Sequence, residues 1–178
     1  VASGAALQLY GGITIGAEAL TLSGSGVSTD GALRNVNGTN TYGGAITLAA
    51  ASRINADSAT TLSLGGTIGG DAQNLTFGGV GNILSSNVIG TTTGTLTKDG
   101  SGTLTLSGTN TYTGVTTVSA GVLSVGSIGD GGNSGNLGAA SNSAGNLVLG
   151  GGTLRYTGDT ASSARAFTLT DSTSSTID

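Results

Sequence analysis

The sequence predicts an all-β chain: a single-stranded parallel β-helix, or β-solenoid, of about eight coils. Three observations carry that prediction. Apolar residues alternate with Thr, Ser or Gln over short runs. Nearly every run closes on glycine. The phrase Leu-Thr-Leu-Ser-Gly stands at residues 20–24 and again at 104–108, with variants at 61–66 and 74–79. A unit too small to bury its own core is repeated where stacked neighbours supply the missing interior. The 178 residues, at roughly 20–25 per coil, give about eight coils. At ~4.8 Å per coil the rod is ~35–40 Å long.

The strands follow in order. Candidate strands, most with apolar residues at i and i+2, are found at 7–9, 13–15, 20–22, 46–48, 62–64, 75–77, 83–84 and 88–89. They continue at 96, 104–106, 115–118, 122–125, 147–149, 154–156 and 167–169. A period of two gives each strand one buried and one solvated face. Thr suits the outer face because its branched Cβ restricts χ1. Between the runs, glycine supplies sharp corners, as at Gly65-Gly66, Gly78-Gly79 and Gly150-Gly151-Gly152. Hairpin dipeptides occur at 30–31, 37–38, 99–100 and 130–131, but most strand ends carry Ser-Gly or Gly-Gly, which favours a spiral over an antiparallel sandwich. The helix-compatible stretches 49–51 and 139–144 are short and read as loops.

Composition agrees. There are 35 Gly and, by count, 29 Thr and 22 Ser, with no Pro, Cys, Met, Trp or His. Hydrophobic residues make up 36% and aromatics only 3%, so the core is thin and built of Leu, Val, Ile and Ala. A charged fraction of 8% with positive mean hydropathy is not the signature of disorder. Five cations against a net charge of −4 leave little to bind nucleic acid. No apolar run is long enough to span a membrane as a helix. No signal peptide is visible, so a leader has been removed or the chain is a piece of something longer.

The phrase GTNTY occurs twice, at 38–42 and 109–112 with its Gly at 108, and both copies are expected at the same corner of two coils. Gly38, Asn40, Tyr42, Gly108, Asn110, Tyr112 and Gly114 are the corner residues. Asn40 and Asn110 should bond backbone groups there, with like residues stacking on neighbouring coils. Tyr42 and Tyr112 should cover the end of the core with the ring and keep the hydroxyl wet.

Residues 95–125, TLTKDGSGTLTLSGTNTYTGVTTVSAGVLSV, resemble the autotransporter-associated β-strand repeat, also called the passenger-associated transport repeat. The matching parts are the lead at 96–104, the corner at 106–114, and the strands at 116–118 and 121–125. Residues 31–70 and 136–156 resemble the coils that flank such a repeat. The resemblance implies a right-handed parallel β-helix in a large secreted or surface-displayed bacterial protein, many of which are passengers of type V secretion systems. The expectation is one continuous right-handed β-solenoid over 1–178, with its strongest repeat at 95–125 and a loop excursion at about 127–145.

Chemistry is scarce. Without His or Cys there is no Ser-His or Cys-His nucleophile. Glu18, Asp30, Asp57, Asp71, Asp99, Asp130, Asp159, Asp171 and Asp178 lie mostly beside glycine or in small-residue corners, where a short acceptor caps a turn. A carbohydrate-active β-helix using an Asp pair is the alternative reading. Residues 78–84 lack the Asp of a calcium nonapeptide, and 129–138 lack the Lys-Ser/Thr of a phosphate loop. No catalytic, metal or cofactor-binding residue is assigned, and no cofactor is expected. Thr-x-Thr runs are too uneven for an ice-binding ladder and read as ordinary strand surface. Neither terminus offers a cap, so partners are expected at the ends: adjacent coils of a longer chain, or copies stacked head to tail. Surface glycans and sibling cells are further candidates; nucleic acid is not. The expected role is structural and non-enzymatic: an extracellular rod on a bacterial surface, as adhesin shaft or self-assembling fibre subunit.

Overall fold

The computed structural model describes residues 1–170 and 174–178. Every named strand pairing among them is parallel. The chain is a β-solenoid of about eight coils with almost no helix. One sheet stacks Leu7–Tyr10, Leu33–Asn37, the second half of Ile46–Ala56, Leu75–Gly79, Leu96–Lys98, Thr116–Val118, Leu147–Leu149 and Thr168–Leu169. A second stacks Thr14–Ile15, Thr39–Tyr42, Thr61–Leu64, Asn82–Ser85, Thr103–Leu106, Val122–Val125, Thr153–Tyr156 and Thr176–Ile177. A shorter third face runs through Leu20–Gly24, the first half of Ile46–Ala56, Ile68–Gly69 and Ile89–Gly90.

Inward side chains align vertically, as parallel register requires. Leu33, Ile54, Phe77, Lys98, Val118 and Leu149 form one column. Leu62, Ile83, Leu104, Leu123 and Leu154 form another. All eleven are buried. Each buried aliphatic side chain contributes about 1.5–3 kcal/mol relative to exposure, so the columns are the main stabilising feature. Outward positions carry Thr: Thr76, Thr97 and Thr117 are neighbours on successive coils. That ladder starts from Arg53 and ends at Val148, so it is three rungs long.

Three segments differ from the sequence expectation. Residues 49–51 are strand, not loop: they lie midway along Ile46–Ala56, which serves two faces in one eleven-residue strand. Leu33–Asn37 is a strand whose inward residues are Leu33 and Asn35, while Val36 lies partly exposed. Thr39–Tyr42, expected as a corner, is also a strand, with Asn40 and Tyr42 inward. Both were hidden because Asn occupies an inward position and reads as polar surface.

Between Val125 and Leu147 the described chain has no strand, and its one regular piece is the 3-10 turn Ala144–Asn146. From Val118 to its stacked partner Leu149 the chain spends 31 residues, against 20 from Lys98 to Val118.

Candidate functional site

The corner residues are held by side-chain amides that replace backbone partners. Asn40 is buried; its Oδ1 accepts from the Ile13 N–H at 2.6 Å. Its Nδ2 donates to the Asn37 carbonyl at 2.7 Å and to Asn35 Oδ1. Asn110 is buried as well; its Oδ1 accepts from the Ile89 N–H at 2.8 Å and its Nδ2 donates to the Asn136 carbonyl at 2.8 Å. Each amide reaches the preceding coil; at Ile89, which is fully buried, an unpaired N–H would cost about 1–3 kcal/mol.

The two GTNTY phrases nevertheless lie at different places on the coil. Tyr42 pairs with Leu64, and that column continues through Ser85 to Leu106, six residues before Tyr112. The second phrase sits on the third face: the Thr111 N–H donates to the Ile89 carbonyl and the Thr113 N–H to the Thr92 carbonyl. The routes onward explain the offset. After Tyr42, the chain enters Ile46–Ala56, which must cover the third face before it reaches the first sheet. After Tyr112, Gly114 leads directly to Thr116–Val118 on the first sheet. In both copies the Asn Oδ1 takes a backbone N–H of the preceding coil, while Nδ2 stays on its own coil in Asn40 and reaches the Asn136 carbonyl in Asn110.

Neither tyrosine keeps a wet hydroxyl. Tyr112 is fully buried and its hydroxyl shares a hydrogen bond with Thr116 Oγ1 at 2.9 Å. Burial pushes its pKa up to about 12. Tyr42 donates to the Glu18 carbonyl at 2.8 Å, and its pKa is raised by burial and then by the Glu18 charge. The rings are part of the core. The glycines have steric reasons. A Cβ on Gly108 would overlap the Asn87 carbonyl oxygen, and one on Gly114 would overlap the Gly94 carbonyl. Gly38 has φ +81° and lies where a Cβ would come within 2.9 Å of the Gly12 nitrogen.

Six carboxylates, those of Asp30, Asp57, Asp71, Asp99, Asp130 and Asp178, are tied to cations, a hydroxyl or a backbone N–H. Arg34 bonds both Asp57, at 2.8–3.0 Å, and Asp30, at 2.9 Å. These two acids are close together, but the guanidinium lies between them, where a glycosidic oxygen would need to sit. Bonding to Asp57 raises the Arg34 pKa. Arg53 reaches two coils up to Asp99 at 2.6 and 2.9 Å. It crosses Gly78, where a Cβ would overlap the guanidinium. Arg155 pairs with Asp178, Asp71 accepts from Thr92 Oγ1, and Asp130 accepts from the Ala164 N–H. The Glu18 and Asp159 carbonyls each accept a tyrosine hydroxyl. Asp171 lies outside the described residues. Among the described residues no group of three acids, His or Cys could hold a metal ion.

Sequence reasoning missed Lys98. It stands in the inward column between Phe77 and Val118 and is 3% exposed. Its ammonium donates to the Gly100 carbonyl and, at 3.2 Å, to the Ala120 carbonyl one coil further on. Burial lowers its pKa to about 8, the Asp99 charge opposing and Arg53 adding to the shift. The detectable signal was its phase: Leu96-Thr97-Lys98 puts Lys at i+2 from an inward Leu.

Residues 96–125 match the family described as Passenger-associated-transport-repeat. The chain is 46% identical over 101 residues to the adhesin BmaC autotransporter of Brucella suis biovar 1 (strain 1330). That alignment covers 56% of this chain and 3% of the relative, so the chain spans a small fraction of that protein's length. No solved structure matches the chain.

Proposed function

We propose that this chain, a β-solenoid carrying an autotransporter passenger repeat, is an extracellular rod segment of a bacterial surface protein and serves as an adhesin shaft. The observation that carries the reading is the stacking of inward columns through successive coils, with the repeat at 96–125 inside it. Such an object is stiff and extended, and its outer sheet positions are mostly small hydroxyl residues. The relative's description as an adhesin autotransporter supports the surface location and a non-enzymatic role. So does the engagement of the acids in ion pairs and turns.

Both ends of the rod support axial stacking as the partner contact. Tyr10 and Ile13 are exposed on the first coil, and Phe167, Leu169 and Ile177 on the last. A cavity of about 340 Å³ opens there between Leu147, Leu154, Tyr156, Phe167 and Ile177. A further coil, from the same longer chain or a second copy, would fill it and pair the open strand edges. Residues 127–145 form a loop excursion from this single continuous unit.

The test is protease shaving of intact producing bacteria, followed by mass spectrometry. Peptides from residues 1–178 should be released without lysis. Release only after lysis overturns the surface assignment. Negative-stain microscopy of the purified chain separates the shaft, seen as short single rods, from a self-assembling fibre, seen as long filaments.

A further inference from the structure

Coils that share one inward pattern have an alignment problem. Leu, Ile or Val packs on Leu, Ile or Val equally well after a slip of two residues along a sheet, which keeps the same faces inward. In this molecule the inward columns are interrupted by polar residues. Asn35 sits between Leu9 and Ala56. Ser85 sits between Leu64 and Leu106. Lys98 sits between Phe77 and Val118. Asn110 closes the third face against Ile89.

We infer that Lys98 is a register key: its buried ammonium finds the Gly100 carbonyl of its own coil and the Ala120 carbonyl of the next only when Thr97 lies beside Thr117. The chemistry follows from what a slip would do. Gly100 is local and moves with Lys98. Ala120 belongs to the neighbouring coil and moves away by two residues, so the ammonium stays buried with half of its partners. An uncompensated buried charge is far costlier than a misplaced methyl group, so the slipped arrangement is rejected. The aligned arrangement gains little, because taking the ammonium out of water offsets its bonds. The charged groups facing it, Asp99 and Arg53, oppose one another. The lysine therefore discriminates between alignments more than it stabilises the chosen one. Asn40, whose Oδ1 accepts from the Ile13 N–H of the preceding coil, is built on the same plan. Ser85 is the contrast: its buried hydroxyl has no partner, so it carries no alignment information.

The chain has no native cysteine, so pyrene placed at Thr97→Cys and Thr117→Cys reports this one pairing by excimer emission. Protein refolded from denaturant should give full excimer in the otherwise native chain. Lys98→Met should keep or raise the unfolding midpoint while the excimer-to-monomer ratio falls to about half or less, as slipped coils accumulate. Ser85→Leu should leave the ratio unchanged. If Lys98→Met does not refold, Lys98→Gln decides, since it keeps an N–H donor: recovered excimer supports the key, and its absence overturns it. Full excimer in folded Lys98→Met, or equal loss in Ser85→Leu, also overturns it.

Discussion

Ser85 shows how one hydroxyl can sit wrongly in an otherwise apolar column. It is 1% exposed, lies between Leu64 and Leu106, and its Oγ has no hydrogen-bond partner. Ser85→Ala removes that unpaired group without adding bulk and should raise stability by about 1 kcal/mol, read as a shift in the urea midpoint at constant m. Gly108→Ala acts in the opposite sense. Its Cβ would strike backbone, the Asn87 carbonyl, and the coils cannot part locally, so a loss of about 2–4 kcal/mol is expected. Two buried titratable groups set the alkaline profile. Lys98 has a folded pKa of about 8, below its ordinary value, so the unfolded chain binds more protons and stability rises from pH 8 towards 10. Tyr112, raised to about 12, holds its proton after the unfolded chain has lost it, so stability falls from pH 10 towards 12. A thermal-melting series should therefore peak near pH ~10, and Lys98→Met should abolish the rising limb. A flat profile between pH 8 and 10 in the native chain would refute the burial of that ammonium.

At the scale of the element, period-two patterning located most strands, because inward Leu alternates plainly with outward Ser63, Thr105 and Val148 in Leu62–Leu64, Leu104–Leu106 and Leu147–Leu149. It failed at Leu33–Asn37 and Thr39–Tyr42 for a definable reason. Their inward Asn35 and Asn40 satisfy each other and the Ile13 N–H, a partner 27 residues away from Asn40 that no local pattern reveals. The phase of the two GTNTY phrases was equally illegible, since it depends on how many faces the next strand must cover. The corner residues themselves could be read as a motif, but their burial could not. One side chain closes the neck of the segment after Val125. Asn136 accepts from the Gly126 and Ser127 N–H groups at 3.0 and 2.8 Å and donates to the Gly108 carbonyl at 3.0 Å, closing the neck of residues 126–136 onto the preceding coil. Asn136→Ala leaves two N–H groups and a carbonyl without that partner, a cost of about 2 kcal/mol. Limited proteolysis should then cut within 127–135 faster while the sheets stay folded by circular dichroism. Unchanged cutting would mean that Asp130, Ser163 and Asn142, which also bond this segment, suffice to hold it.

Among the described residues the strands pair with those of neighbouring coils, so the stability of the molecule is distributed along an axis rather than around a centre. Each coil gains from the one on either side, and a terminal coil gains from one side only. The two ends are not equal. The first coil is tied down by Leu9 and Leu22, both buried, and by four-residue pairing of Leu7–Tyr10 with Leu33–Asn37. The last offers Thr168–Leu169 and Thr176–Ile177, two residues each, with Leu169 and Ile177 more than half exposed and a cavity beneath them. Opening from that end costs the least apolar burial, so unfolding should begin there and run towards the middle. Hydrogen exchange read by mass spectrometry gives the test. Amides of 168–169 and 176–177 should exchange first, those of 147–156 next, and those of Leu75–Gly79, Leu96–Lys98 and Thr103–Leu106 last, with protection approaching the global unfolding free energy only in this middle group. Uniform protection across all coils would show that the rod opens as a single cooperative unit, and neighbour-by-neighbour stability would have to be given up.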